Sequence, residues 1–256
     1  LSAMGVQCCP LPTAFLSTHT GGFEGFTFLD MTDEMPKVAD HWASLGLSFQ
    51  AIYSGFLGSE RQIGIVADFI RRFRRPDTVV VIDPVMGDHG RVYQTYTHAM
   101  CAGTARLAEL ADVITPNLTE AALLLDRSYD ALPEDEAGLL EITQELSLGG
   151  RRSVVLTGAS AAPDLTGAAC FDAATGRAQM IQTRRVPREF HGTGDVFASV
   201  LTGALVGGAA LPAAVEQAVE FVRLCGERTA AQDLPMREGV DFEPLLGRLT
   251  AGREGV

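Results

Sequence analysis

Five short runs of β-branched and apolar residues recur along the chain, each parted from the next by longer stretches with helical spacing. That alternation constrains the fold more than any other feature. Residues 13–17 and 50–54 read as strands, and 78–83, 113–115 and 153–157 continue the series. Thr78-Val79-Val80-Val81-Ile82 is apolar on both faces, the pattern of a central parallel strand covered on two sides. Helical candidates span residues 35–47, 59–73, 98–111, 118–125 and 136–148, with Ser59 and Asn117 placed to cap theirs. Such a series implies an α/β fold of three αβα layers around a mostly parallel central sheet.

Residues 167–172 and 178–183 flank Ala173-Ala174-Thr175-Gly176-Arg177 and read as an antiparallel hairpin. Helices over residues 194–206 and 211–230 close the chain. No repeat, low-complexity tract or linker interrupts it, and 46% hydrophobic residues suffice for a sizeable core, so residues 1–256 are expected to form a single domain. Leu1-Ser2-Ala3-Met4-Gly5 reads as the end of a helix already under way, so further residues are expected upstream.

In open α/β sheets the ligand lies beyond the carboxyl ends of the strands. Three predicted strand ends carry polar or glycine-rich sequence: Ser54-Gly55-Phe56-Leu57-Gly58, Asp83-Pro84-Val85-Met86-Gly87-Asp88 and Thr157-Gly158. The fourth candidate is His191-Gly192-Thr193-Gly194-Asp195, which leads straight into an apolar helical run. Two glycines allow a tight turn whose N–H groups approach a ligand, and the helix aims its positive end at the same point, which suits a phosphate. A carboxylate in an anion-binding turn repels phosphate. It makes chemical sense when Asp195 accepts the proton of a hydroxyl attacking that phosphate, with Gly192, Thr193 and Gly194 stabilising the charge. The plainer alternative is an aspartate cap on an ordinary turn.

Asp83 and Asp88 stand at the end of a buried strand and could hold Mg²⁺, directly or through water, beside nucleotide phosphates. Alternatively, Asp83 caps a turn and Asp88 is solvated. In Thr115-Pro116-Asn117-Leu118-Thr119-Glu120, Glu120 either closes a capping box or orders a metal's water shell. Thr18-His19-Thr20-Gly21-Gly22 suits recognition of a small polar substrate, and Arg184, Arg185 and Arg188 offer guanidinium groups for phosphate just before the glycine turn.

A formal charge of −12 argues against nucleic acid or an anionic membrane as the main partner. Cys8, Cys9, Cys101, Cys170 and Cys225 match no zinc spacing and read as reduced thiols of a cytoplasmic protein. No run approaches the ~18 apolar residues of a membrane span. A G-x-x-x-x-G-K-[ST] loop, a G-x-G-x-x-G fingerprint and a G-x-S-x-G elbow are all missing, which weakens hydrolase and dinucleotide readings.

Asp83-Pro-Val-Met-Gly-Asp88, Thr115-Pro-Asn-Leu-Thr-Glu120 and Gly192-Thr-Gly-Asp195, in that order and spacing, resemble the ribokinase-like superfamily. Ser17-Thr18-His19-Thr20-Gly21 and Ser54-Gly55-Phe56-Leu57-Gly58 are similar to its pyridoxal/pyridoxamine (vitamin B6) kinase branch. The resemblance implies ATP-dependent phosphorylation of the 5′-hydroxymethyl of pyridoxal, pyridoxine or pyridoxamine, with Asp195 as catalytic base and Gly192, Thr193 and Gly194 as anion hole. It places Asp83 and Glu120, with Thr115 nearby, around ATP, Mg²⁺ and a monovalent cation (K⁺ or Na⁺). Thr157 and Gly158 fall at nucleotide contacts, and His19 and Thr20 in the substrate pocket. It also implies a homodimer and a central sheet of eight or more strands. Phe56 stands where many relatives have tyrosine, and the family's first strand, with a serine against the pyridine ring, has no counterpart in this numbering. A hydroxymethylpyrimidine kinase of thiamine synthesis is the competing enzyme; that group tends to carry a cysteine on a lid, and residues 183–190 contain none. A non-catalytic nucleotide- or B6-binding module is the alternative of another class.

Overall fold

A computed structural model of the chain describes residues 1–19, 22–232 and 235–250. Ser2–Met4 forms one 3-10 turn, closed by Gly5 in the left-handed region at φ 74°. A ribbon follows, in which β1 (Ala14–Leu16) pairs antiparallel with β2 (Phe28–Asp30) and sets Phe15 opposite Leu29. The chain continues through α1 (Met35–Ser44), β3 (Ala51–Ser54), α2 (Glu60–Phe73), β4 (Val79–Ile82), the two-residue β5 (Gly87–Asp88) and β6 (Arg91–Val92), and α3 (His98–Ala108). Then come β7 (Val113–Ile114), α4 (Leu118–Leu124), α5 (Glu136–Leu146), β8 (Ser153–Thr157), β9 (Leu165–Asp172), β10 (Arg177–Arg184), α6 (Thr193–Val206) and α7 (Leu211–Ala231).

Six strands form the central sheet in the order β10-β9-β8-β7-β4-β3. β3, β4, β7 and β8 run parallel, and β9 and β10 return antiparallel as the expected hairpin. Two expectations are corrected. The described sheet has six strands, short of eight, and the strand read at residues 13–17 lies outside it. β1 has three residues and leaves Phe15 64% exposed, so it lacks the doubly buried faces of an interior strand. It pairs locally instead.

The sheet separates two apolar layers. Val80, Ile82, Val154 and Leu156 pack with Ile63 and Ile70 of α2, Leu107 of α3 and Ile142 of α5. On the other face Val81, Val113 and Val155 pack with Leu201 of α6 and Val215 and Phe221 of α7. Val80 and Val81 are neighbours in sequence yet enter opposite layers, as a two-residue period requires. Each such burial stabilises the fold by about 1.5–3 kcal/mol.

Ser59 and Asn117 cap α2 and α4 as expected, their side chains accepting from Gln62 N at 3.3 Å and Glu120 N at 3.0 Å. α1 and α5 stop short of their predicted ends, because Gly46 and then Leu148 and Gly149 take positive φ (69°, 57° and 73°). Antiparallel register sets Ala168 beside Thr157 and Leu165 beside Arg184. The start of β9 and the end of β10 therefore share an edge with the carboxyl ends of the parallel strands. The segment after β10 delivers α6 from that edge, and α6 packs across β3 and β4.

Candidate active site

Gly192 adopts φ 82°, the left-handed region that glycine enters without a Cβ penalty, and its carbonyl accepts from Val196 N at 3.1 Å to start α6. A Cβ on Gly192 or Gly194 would meet nothing within 4 Å, so open space faces both. Asp195 is the third residue of α6 and no cap: the N-cap is Gly192. Its side chain reaches solvent, yet the protein around it desolvates it enough to raise its pKa above the usual carboxylate value.

Asp83 follows β4, its N–H donating to Ser54 O at 2.9 Å, so the ends of β3 and β4 are tied. Its carboxyl is buried (9% exposed) and pushed up to about 7, first by burial and then by the charge of Asp195. The Thr115 hydroxyl beside it pulls the other way, without meeting the geometry of a full hydrogen bond. Both readings of Glu120 hold at once. Its Oε2 accepts from Asn117 N at 2.9 Å and completes the capping box, while Oε1 accepts from Met86 N at 3.1 Å on the Asp83 turn. Burial first, then the Asp83 charge, push Glu120 up to about 8. Asp83 thus feels the charge of Asp195, and Glu120 that of Asp83.

Asp88 lies at the solvated rim, its Oδ1 accepting from His89 N at 2.8 Å. Between these acids, Gly87 is required sterically, since a Cβ there would stand 2.3 Å from the Arg91 carbonyl oxygen. Asn117 Nδ2 donates to Gly87 O at 2.9 Å, and Thr157 N donates to Pro116 O at 2.8 Å. Gly158 follows at φ 69° with open space in front of it. Arg185 is held on the same sheet edge by Asp164 and Leu165 (N to Asp164 O 2.8 Å, Nε to Leu165 O 3.2 Å), and the Arg188 guanidinium lies 6.0 Å from the Phe190 ring centre.

On the other side, the His19 ring sits 5.3 Å from that of His191 and edge-on to Phe23 at 5.0 Å; its Nε2 lies 2.7 Å from the Arg237 carbonyl oxygen. The segment after β1 therefore meets the glycine turn. Thr20 lies outside the described residues. Phe56 is 38% exposed, 6.3 Å from the Tyr96 ring, and its carbonyl accepts from Thr13 Oγ1 at 3.4 Å.

Two tyrosines escaped the sequence reading. Tyr53 pairs in register with Val81, whose side chain faces the α6 layer, and Tyr53 packs on that layer too. Burial, then the charges of Asp83 and Asp195, raise its phenol far above the ordinary value. Tyr93 is pushed up to about 12 by burial and then by the charges of Asp88, Glu120, Asp83 and Asp195. Strand alternation could have found Tyr53; no sequence signal marked Tyr93, which follows the two-residue β6. Among the described residues no group of three His, Cys, Asp or Glu side chains forms a ready-made metal cage. Asp83 and Glu120 remain as an acidic pair that a cation would relieve.

The arrangement offers an anion-binding helix mouth, a carboxylate within it, and a buried acidic pair alongside. The phosphomethylpyrimidine kinase family matches residues 1–236. The pyridoxine/pyridoxal/pyridoxamine kinase of Bordetella avium is 33% identical over 180 residues, which are 68% of this chain and 59% of that kinase, less than two thirds of its length. A hydroxymethylpyrimidine/phosphomethylpyrimidine kinase of Haemophilus influenzae is 31% identical over 74% of this chain and 67% of its own length. Among solved structures, pyridoxal kinase from Lactobacillus plantarum superposes with a TM-score of 0.89 at 32% identity, covering 98% of this chain and 88% of that one. A Bacteroides thetaiotaomicron protein, provisionally named a phosphomethylpyrimidine kinase and crystallised with pyridoxal, gives 0.90 at 42% identity over 97% and 87%. The chain belongs to the phosphomethylpyrimidine kinase family, on its ribokinase-like pyridoxal kinase branch.

Proposed function

We propose that this protein transfers the γ-phosphoryl group of ATP to the 5′-hydroxymethyl of pyridoxal, pyridoxine or pyridoxamine. The observation that carries the reading is Asp195, a carboxylate in the first turn of α6 behind the left-handed Gly192, with open space before both glycines. Its raised pKa suits a base that takes a proton near neutral pH. Asp195 accepts the alcohol proton, and the amides of Gly192, Thr193 and Gly194 stabilise charge on the moving phosphoryl group. We assign Thr157, Gly158, Arg185 and Arg188 to the nucleotide side, and His19 and Phe56 to the vitamer side.

Asp83 and Glu120 fit a Mg²⁺ ion held through water, since these two buried carboxyls with raised pKa values feel no compensating positive charge from the described residues. Bound there, the ion would neutralise phosphate charge. Thr115 Oγ1, buried with no hydrogen-bond partner, fits as an oxygen ligand for K⁺ or Na⁺. We read residues 1–256 as one kinase domain acting as a homodimer; exposed Phe15, Phe28 and Leu29 offer an apolar face. Five free cysteines, and no described helix long and apolar enough to cross a membrane, support a cytoplasmic setting.

Pyrimidine phosphorylation is the second reading, favoured by the H. influenzae relative; the pyridoxal held by the B. thetaiotaomicron protein favours the vitamer. ADP release is measured with each vitamer and with hydroxymethylpyrimidine. We expect stimulation by vitamers. Stimulation by the pyrimidine alone overturns the substrate, and none by any alcohol overturns the kinase.

A further inference from the structure

The β1–β2 ribbon is too short to hold itself in place, since an isolated two-stranded hairpin is marginal in water. One side chain anchors it. Gln62, in the first turn of α2, is 1% exposed. Its Nε2 donates to Thr13 O at 2.8 Å and to Thr32 Oγ1 at 2.8 Å, with Asp30 Oδ1 at 3.1 Å. Its Oε1 accepts from Gly58 N at 2.7 Å. Thr32 in turn donates through both N–H and hydroxyl to Asp30 Oδ1.

A single amide therefore spends both donors and its acceptor joining three segments: the start of β1, the turn after β2, and the loop that carries Phe56. The contact is reinforced by Thr13 Oγ1 donating to Phe56 O, and by Phe28 packing towards Gly58. β1 continues directly into Thr18 and His19, whose ring meets His191 beside the glycine turn. The segments Gln62 fixes are those facing the alcohol; the acids and strand ends of the nucleotide side are tied by other bonds, through Asn117, Pro116 and Ser54.

We propose that Gln62 is a positioning residue for the alcohol substrate: its amide locks the ribbon and the 55–58 loop into one wall of the vitamer side of the cleft. This rests on the kinase reading. Loss of the amide frees Phe56 and His19 to shift, and displacements of about 1 Å at a positioning contact can cost up to about 100-fold.

The test is steady-state kinetics on Gln62→Met, with Thr32→Val and Thr32→Ser as a second pair removing and keeping one arm of the network. For Gln62→Met we expect KM for pyridoxal to rise about tenfold or more, with KM for ATP and kcat within about threefold of wild type. Thr32→Val shifts KM for pyridoxal in the same direction, and Thr32→Ser restores it. Unchanged KM for pyridoxal, or a parallel rise for both substrates, overturns the proposal. If Gln62→Met fails to fold, the Thr32 pair decides by the same criteria. Wild-type protein that releases no ADP with any vitamer defeats the kinase reading instead, a result separable from these.

Discussion

Asp83 and Glu120 are carboxyls placed where burial first, and then a neighbouring carboxylate (Asp195 for Asp83, Asp83 for Glu120), opposes ionisation, pushing them up to about 7 and about 8. Their ordinary values are 3.8 and 4.5, so folding raises both. The folded protein then holds protons that the unfolded chain releases. The stabilisation is complete below the ordinary values and is lost as pH rises through about 7 and 8. Scanning calorimetry of cation-free protein should show the unfolding midpoint falling between about pH 5 and 8.5, and Mg²⁺ recovering more of it at the alkaline end. A midpoint that climbs across the same interval contradicts the placement of this pair.

At the scale of elements, Asn117 is the joint between α4, the Gly87 turn and β8. It caps α4, donates to Gly87 O, and bridges in parallel to Thr157. Asn117→Ala should cost about 1–2 kcal/mol for the cap alone, read from urea unfolding, because Glu120 N loses its acceptor; Gly87 O loses its donor besides. Gly87→Ala should cost about 1–3 kcal/mol, since its methyl meets backbone and not a movable side chain; an unperturbed midpoint would show that the β5–β6 hairpin opens freely. Much at this scale was legible in the sequence. Val79-Val80-Val81-Ile82 announces a buried strand by composition, and Ser59 and Asn117 mark helix starts because caps are local chemistry. β2 was not legible. Phe28–Asp30 pairs with a strand twelve residues upstream and is held by Gln62, a tertiary contact that leaves no periodicity behind. Tyr93 was hidden for the same reason, since only the fold brings the charges of four acids to bear on it. Among site residues, Asp195 and Glu120 were identifiable because glycine turns and capping boxes have sequence signatures, whereas the roles of Arg185 and Arg188 depend on a nucleotide's position.

For the molecule as a whole, the two apolar layers serve to bring separate stretches of chain to one edge. The ends of β3, β4, β7 and β8 bring Phe56, Asp83, Thr115 and Thr157, and α6, lying across β3 and β4, brings Asp195 over them. On an acidic protein of charge −12, a polyanionic nucleotide at such an edge needs local partners: amides, a helix mouth, nearby guanidinium groups and a cation. Salt should therefore weaken ATP binding little, whereas a chelator should abolish turnover without unfolding the chain; unfolding by the chelator would show the acidic pair to be a structural metal site instead. Phosphoryl transfer as proposed requires the Asp195 carboxylate to take the alcohol's proton. That requirement is tested most directly by pre-steady-state turnover of Asp195→Asn with ATP and pyridoxal. A fold and ATP affinity like wild type with a rate lowered about 10²–10⁴-fold is the predicted result, and wild-type turnover would contradict it.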